Sequence, residues 1–359
     1  MITVLSSASA RPNFVKLAAV HHALAARGGV KHIIVHTGQH YDPLFSDIFF
    51  TQLRIPEPDQ NLGIKGGSSR EDVIAATAKA MAPVLKLSHP DIVLVYGDVN
   101  GAVGAARAAA DCGIRIGHVE AGLRSFDTGM PEELNRLEID RLADDLFVSE
   151  QSGLNHLASE KAAGHVHFVG NTMIDTLIRM QPSIEAASLP FDLPARFAVA
   201  TLHRPSNVDS REALEKNIRF LEEISESCPL ILPLHLRTQA ALESHGLILS
   251  ERIRTIDPLG YLEFLKLVTP AAFILTDSGG IQEEAAFLGK RCFTLRRNTE
   301  RPATETSGSN ILINPEKQAD RDAVFAFAAK PTRVSVTIPP LWDGKAGKRI
   351  ADIVCSHSV

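Results

Sequence analysis

Cysteine is scarce in this chain. Four residues, Cys112, Cys228, Cys292 and Cys355, stand far apart and none forms a C-x-x-C pair, so neither a zinc site nor a disulfide framework is expected. No basic run occurs and the net charge is −5, which argues against a nucleic-acid footprint or a membrane-surface patch. No apolar stretch reaches the roughly 18 residues that a membrane span requires. The opening Met1-Ile-Thr-Val-Leu-Ser-Ser enters strand-like sequence directly, without a charged leader or long apolar segment, and the cytosol is the expected compartment. Two nucleotide fingerprints are missing as well. There is no Walker A loop, and the glycine-rich run from Gly97 to Gly104 is spaced G-x-x-x-G-x-x-G rather than G-x-G-x-x-G, so a dinucleotide loop is not expected. No metal-ligand spacing is found, and no cofactor is expected.

What is present is regular. The 359 residues, 45% hydrophobic and 22% charged, have the composition of a globular protein large enough for two domains. Short β-branched runs, at 2–5, 33–36, 92–96, 114–119 and 166–169, alternate with helical patterns at 14–26, 72–87, 102–110 and 132–143. The rhythm resumes with runs at 197–202, 230–234, 253–256, 273–275 and 292–295. Strands buried on both faces read as continuous apolar runs, and their alternation with helices predicts βαβ units in parallel sheets. Residues 181–194 carry three prolines and break the rhythm, which places a domain boundary in or just before them. The fold class expected is α/β, with two Rossmann-like doubly wound domains, 1–172 and 173–359, the final helix packing back on the first. No internal sequence repeat is visible.

Ligands of open α/β sheets bind beyond the carboxyl ends of the strands, so the polar residues directly after each apolar run are the ones to inspect. In the first half these are Arg11, Gln39 with His40, Gly97 with Asp98, and Glu120. In the second half they are His203 with Arg204, His235, and Asp277-Ser278-Gly279-Gly280. One carboxylate at such a place is more often a helix cap or a surface ion pair than a catalyst. Seven positions spread over two halves are harder to dismiss. Ser278-Gly279-Gly280 opens a helical pattern, where free N–H groups and the helix dipole offer a phosphate seat and glycine permits close approach; an ordinary serine N-cap would read the same way. Glu283 and Glu284 fall one turn further on, where a carboxylate could accept both hydroxyls of a ribose or simply complement the dipole. Lys290-Arg291 and Arg296-Arg297 read as solvated faces. His21, His22, His32, His156, His165 and His357 are given no role.

Several strings occur in order along nearly the whole chain: Arg11-Pro12, Gly38-Gln-His-Tyr-Asp42, Gly117-His-Val-Glu-Ala-Gly-Leu-Arg124, Met130-Pro-Glu-Glu-Leu-Asn-Arg136, Val169-Gly-Asn-Thr172, Leu202-His-Arg-Pro205, Thr276-Asp-Ser-Gly-Gly-Ile-Gln-Glu-Glu284, Thr299-Glu-Arg-Pro302 and the closing Trp342-Asp-Gly-Lys-Ala. With them the sequence resembles the non-hydrolysing UDP-N-acetylglucosamine 2-epimerases. The resemblance implies a GT-B fold, a homodimer, and a UDP-sugar held in the interdomain cleft. Carried over position by position, it implies a catalytic group of Asp98, Glu120, Glu132 and His203. It also implies a UDP-sugar-binding group of Arg11, His235, Ser278, Gly279, Gly280 and Glu284, with Arg301 beside them. Some positions depart from the family. Its opening Gly-Thr-Arg-Pro-Glu is here Ser9-Ala10-Arg11-Pro12-Asn13, a substitution expected to tighten the loop beside the phosphates. The family's Glu after Thr-Glu-Arg-Pro is Ala303, which points to a different sugar preference. The second, activator pocket of many bacterial members is lined by segments that read differently here, Gln39-His40-Tyr41-Asp42 and His203-Arg204-Pro205-Ser206, and that regulation is not carried over.

The chemistry implied suits these residues. The C2 proton of a UDP-2-acetamido sugar is not acidic, because no carbonyl is attached to that carbon. Transient oxidation at C3 would acidify it but needs a nicotinamide loop. Expulsion of UDP from C1 while a base takes the C2 proton needs only carboxylates near C2 and cations or donors on the pyrophosphate. A GT-B glycosyltransferase would share the UDP site without needing three carboxylates. A related UDP-sugar, such as a 2,3-diacetamido uronate, would be handled by the same group.

Overall fold

Two all-parallel sheets account for the strands of the computed structural model, which describes residues 1–38, 49–65, 67 and 69–356. By their internal contacts the residues fall into two units, Met1–Met180 with Pro339–Val359, and Gln181–Ile338. In the first unit the strands are β1 (Ile2–Ala8), β2 (Val30–His36), β3 (Gln60–Asn61), β4 (Ile92–Tyr96), β5 (Arg115–Ala121), β6 (Asp145–Val148) and β7 (His165–Phe168), in the spatial order β3-β2-β1-β4-β5-β6-β7. In the second they are β8 (Ala198–Thr201), β9 (Leu230–Pro233), β10 (Ile253–Ile256), β11 (Ile274–Thr276), β12 (Cys292–Thr294) and β13 (Asn310–Leu312), in the order β10-β9-β8-β11-β12-β13. Each order runs outward from a central pair, the Rossmann arrangement. Two such units in one chain are the halves of a GT-B fold.

The apolar runs explain the sheets. β4 reads Ile-Val-Leu-Val-Tyr and every residue is buried, as a central strand covered by helices on both faces must be. The glycines after it serve packing. A Cβ on Gly104 would come within 2.5 Å of the Thr77 side chain and 2.7 Å of the Ile74 carbonyl, so glycine lets the helix Asn100–Asp111 lie close against the helix Arg70–Ser88. The first unit is completed from the far end of the chain. The helix Ala346–Ser356 packs on the helix Arg11–Arg27, with Gly347 so close to the Ala19 carbonyl that a Cβ would meet it at 2.4 Å. Trp342 Nε1 donates to the Ser149 carbonyl, and Gly347 N donates to the Asp175 carboxyl.

Each sheet has one place where the order reverses. In the first unit it lies between β1 and β4, and in the second between β8 and β11. Crevices at such points receive the ligands of this fold. Among the described residues no helix is long and apolar enough to cross a membrane.

Candidate active site

At the first reversal point the chain leaves β1 through Ser9 and Ala10 and enters a helix at Arg11. Asn13 ties this turn down. Its Oδ1 accepts the N–H groups of Ser9 and Ala10 at 3.2 and 3.0 Å, and its Nδ2 donates to the Tyr96 carbonyl at the end of β4 at 2.8 Å. Arg11 sits half-buried, its guanidinium 5.8 Å from the Phe49 ring centroid. Ser9 is fully enclosed: Thr37 Oγ1 donates to its Oγ at 2.8 Å, and a Cβ on Gly101 would fall 2.2 Å from that oxygen. Gly101 thus supplies the room that Ser9 takes up.

Glu120 has an unusual backbone. Its φ is +77°, and the register between β5 and β6 shifts between Val119 and Ala121 around it. A left-handed conformation in a non-glycine residue costs about 1–3 kcal/mol and clusters at functional sites; a bulge of this kind re-aims a side chain. The side chain so turned meets Lys16, whose Nζ lies 2.7 Å from Oε1, both groups being buried. Gly97, at φ +66°, closes the same corner, since a Cβ there would stand 3.0 Å from Lys16 Nζ and 3.9 Å from Glu120 Oε1. The next residue is Asp98. Arg136 grips one of its carboxylate oxygens with two donors, Nε at 2.9 Å and Nη2 at 2.6 Å, while Asn135 Nδ2 donates to its carbonyl at 2.7 Å. Glu132 stands half-buried in the first turn of the helix Pro131–Leu142, four residues before Arg136. Beneath the corner, His118 is completely buried, with Nδ1 2.6 Å from Asp140 and Nε2 2.9 Å from the Gly97 carbonyl. Burial alone would raise the Asp140 carboxyl, but His118 and Arg124 together hold it below the usual range. Asp98 and Glu120 therefore lie on either side of Gly97, each carrying a cation that the sequence reading missed.

The second reversal point gathers a different group. Asp277 follows β11 and is fully buried. Its carboxylate accepts the N–H groups of His203 at 3.0 and 3.2 Å and of Arg204 at 2.8 Å, and Asn207 Nδ2 at 3.1 Å. His203 Nδ1 lies 2.9 Å from Asp277 Oδ1. Burial would push this carboxyl up, yet the His203 bond and charge and the two amides bring it down to about 2. With Nδ1 engaged, His203 keeps Nε2 for other partners, and its ring centre is 5.2 Å from that of His235. His235 heads the helix Leu236–His245 and takes the Arg237 N–H on Nδ1.

Ser278 occupies the N-cap position of the helix Gly279–Phe287, but its side chain makes no capping hydrogen bond, which separates it from an ordinary serine cap. Gly279 and Gly280 form the first turn. A Cβ on Gly279 would meet Glu300 Oε1 at 2.6 Å and Arg301 Nε at 3.3 Å, so glycine is required there by the protein before any ligand arrives. Glu283 and Glu284 are not surface carboxylates. Glu283 is buried 3.3 Å from Arg301 Nε. Glu284 is buried against Tyr261, and burial raises its carboxyl to about 7 despite the tyrosine hydroxyl. Arg296 corrects the expectation of a solvated face: it is buried and paired with Glu300 at 2.6 Å, and Arg204 lies 3.9 Å from the same carboxylate. Lys290 and Arg291 are half-buried and donate to backbone carbonyls. Gln39 and His40 lie outside the described residues.

In the first unit Asp98 and Glu120 thus flank Gly97, Arg11 begins the helix after β1, and Glu132 lies in the first turn of the helix Pro131–Leu142. The structure places His203, His235, Ser278, Gly279, Gly280, Glu284 and Arg301 in the second. Sequence reasoning missed Lys16, Asn13, Arg136, Tyr261 and Glu300. Among the described residues no group of three or more His, Cys, Asp or Glu side chains is placed to hold a metal ion.

Comparison with known proteins places this geometry in context. Residues 22–355 match the family model described as UDP-N-acetylglucosamine 2-epimerase. A UDP-2,3-diacetamido-2,3-dideoxy-D-glucuronate 2-epimerase of Pseudomonas aeruginosa is 38% identical, covering 97% of this chain and 98% of its own. A UDP-N-acetylglucosamine 2-epimerase of Methanococcus maripaludis is 37% identical over 96% of each chain. The crystal structure of the Methanocaldococcus jannaschii UDP-GlcNAc 2-epimerase in complex with UDP-GlcNAc and UDP superposes with a TM-score of 0.89 at 34% identity, covering 99% of this chain and all of that one.

Proposed function

The chain belongs to the UDP-N-acetylglucosamine 2-epimerase family, and from that premise we propose that it interconverts UDP-N-acetylglucosamine and its C2 epimer by eliminating UDP and adding it back. In the forward half, a carboxylate removes the C2 proton and the C1–O bond breaks. Its electron pair leaves on the phosphate oxygen, giving UDP and 2-acetamidoglucal. In the return half, a proton is delivered to the opposite face of C2 while the UDP oxygen attacks C1. The sugar end falls to Asp98, Glu120 and Glu132 in the first unit. The nucleotide end falls to His203, His235, Ser278, Gly279, Gly280, Glu284 and Arg301 in the second, with Arg11 on the phosphates.

The observation that carries the reading is the pairing of Lys16 with Glu120 and Arg136 with Asp98 around Gly97. Lys16 stands at 2.7 Å from the buried Glu120 and Arg136 at 2.6 Å from the quarter-exposed Asp98, and an opposite charge at such a distance favours the charged form of a carboxylate. Of two carboxylates at one reversal point, one can take the proton from C2 and the other, once it has itself taken up a proton from solvent, can deliver that proton to the opposite face. On the nucleotide side, His203 held by Asp277 can stabilise charge growing on the leaving phosphate, and the uncapped Ser278 hydroxyl with the first-turn amides can receive it. No step above uses a nicotinamide. A homodimer and a cytosolic location are part of the same proposal; gel filtration with light scattering tests the first.

A second reading has its own support. Ala303 stands where the family resemblance gives glutamate, in the short helix Pro302–Thr306 directly after Arg301. Removing an anion from that position favours a substrate that itself carries one, such as a 2,3-diacetamido uronate, and the Pseudomonas relative acts on that sugar by its name. Turnover of the two UDP-sugars side by side decides between them. Preference for the uronate, reversed toward UDP-N-acetylglucosamine in Ala303→Glu, supports the second reading; faster turnover of UDP-N-acetylglucosamine by the unaltered protein removes it.

A further inference from the structure

The corner around Asp98 contains one more charge than its role requires. Glu133, next to Glu132, is turned inward and is only 2% exposed. Its Oε2 accepts Ser125 N at 2.8 Å, Ser125 Oγ at 2.9 Å and Arg136 Nη1 at 2.6 Å, and its Oε1 accepts Phe126 N at 3.0 Å. Arg136 in turn spends Nε and Nη2 on Asp98. One guanidinium is thus shared by two carboxylates, a buried one locked to the loop after β5 and a quarter-exposed one, 24%, at the candidate site.

We propose that Glu133 is a positioning residue: it holds Arg136 in place against Asp98 and takes up part of its charge, so that Asp98 remains more basic than it would be with Arg136 to itself. This rests on the reading of Asp98 as a group that exchanges protons with substrate. An Asp98 with Arg136 to itself would be a weak base, since a full opposing charge at hydrogen-bond distance strongly favours the ionised form. Arg136 also gives Asp98 direction, through two donors on one carboxylate oxygen. Sharing gives orientation at less cost in basicity. The arrangement also explains the loop. Phe126 has φ +58° and is exposed, a conformation that non-glycine residues hold only when their surroundings impose it, and the Glu133 carboxylate imposes it by accepting the N–H groups of both Ser125 and Phe126. The loop between Glu120 and Glu132 is thereby tied to Asp98 through two side chains.

Other charged groups face this corner. Lys16 with Glu120 lies across Gly97, and His118 with Asp140 lies below it. Arg70, Arg107, Glu71 and Glu138 form a network behind Asn135. These remain in place in a Glu133 variant, so a change in the titration of Asp98 reports on Glu133.

The test is the titration of the Asp98 carboxyl carbon by NMR in the whole protein labelled at aspartate, assigned by its loss in Asp98→Asn. No substrate is needed, so the result stands apart from whether the chain epimerises UDP-N-acetylglucosamine, which a turnover assay on the same samples reports. In Glu133→Gln the Asp98 midpoint should fall by roughly one pH unit as Arg136 turns its whole charge to Asp98, and whichever limb of the kcat/KM profile Asp98 carries should move with it. Glu133→Asp, which keeps the charge, should return the midpoint toward the original value. Ser125→Ala leaves Glu133 charged but less well bonded, and should move the midpoint the other way, upward; this variant decides the matter if Glu133→Gln fails to fold. An Asp98 midpoint unmoved in these variants, or one that rises in Glu133→Gln, overturns the proposal.

Discussion

Asp277 and Glu284 are both buried carboxyls, and their surroundings push them in opposite directions. Asp277, brought to about 2 by His203 and the adjoining amides, has a folded pKa below its unfolded value of about 3.9, so its contribution is present above pH 4 and is lost as pH falls toward 2. The shift corresponds to about 3 kcal/mol. Asp277→Asn should therefore lower stability at pH 7 by about that amount in urea melts and lose its effect below pH 2; equal stability of the two proteins at pH 7 would contradict the hold of His203, Arg204 and Asn207 on this carboxylate. Glu284, raised to about 7 by burial, contributes stability that is full at acid pH and is lost as pH rises through 7. If its carboxylate receives the ribose hydroxyls, UDP affinity should rise about tenfold from pH 6 to pH 8 beyond the rise shared with Glu284→Gln. Parallel calorimetric titrations of the two proteins check this, and identical pH dependence would remove Glu284 from the nucleotide. Asp98→Asn, Glu120→Gln and Glu132→Gln should each cost at least ~10²-fold in turnover with UDP binding intact; near-normal turnover in all three would end the proposed catalytic group. Asp98 and Glu120 were legible because they follow apolar runs directly, whereas Glu132 came only from the family resemblance. Lys16 was not, since one lysine inside a helical pattern reads as solvent-facing; its neighbours Phe14, Val15, Leu17 and Ala18, all buried, were the available sign.

The run at 92–96 matches β4 at both ends, with all five residues buried, because a central apolar strand is bounded sharply by the polar turns that follow it. The run at 253–256 matches the edge strand β10. β3, β6 and β13 escaped. β3 is two exposed polar residues, Gln60–Asn61, and has no hydropathy signal to find. β6 and β13 are short and open on polar residues, Asp145 and Asn310, which blunts the apolar signal. The bulge at Glu120 also left no trace in the sequence, since nothing in Val-Glu-Ala announces a positive φ. Gly97 offers a test of this corner as an element junction. Gly97→Ala must hold φ +66° with a Cβ 3.0 Å from Lys16 Nζ, and a loss of about 1–3 kcal/mol in stability is expected. Thermal melts check the stability, and turnover should fall as Lys16 is displaced from Glu120. Unchanged melting and turnover would show that this packing does not set the carboxylate's position.

Over the whole molecule the sequence carries one fold written twice without a visible repeat. Both sheets run outward from a central pair in the same sense, yet the strands share only their apolar character, because a buried parallel strand constrains residue class far more than identity. The last residues of the chain belong with the first: the helix Ala346–Ser356 covers the helix that begins at Arg11. Gly347→Val would drive a side chain into the Ala19 carbonyl and should destabilise the first unit by about 1–3 kcal/mol, with faster amide exchange in residues 11–27 and little change in 198–338. Exchange that rose equally throughout would mean the segment supports both units alike. The central claim is that this chain inverts C2 by losing and regaining a proton as UDP departs. Proton NMR of the purified protein in D₂O, with UDP-N-acetylglucosamine and the 2,3-diacetamido uronate in parallel tubes and no nicotinamide added, tests it most directly. The account predicts a C2 epimer from at least one sugar that carries deuterium at C2, with small amounts of UDP and the corresponding glycal accumulating on long incubation. An epimer that keeps its original C2 hydrogen, or UDP released with no epimer from either sugar, would contradict it.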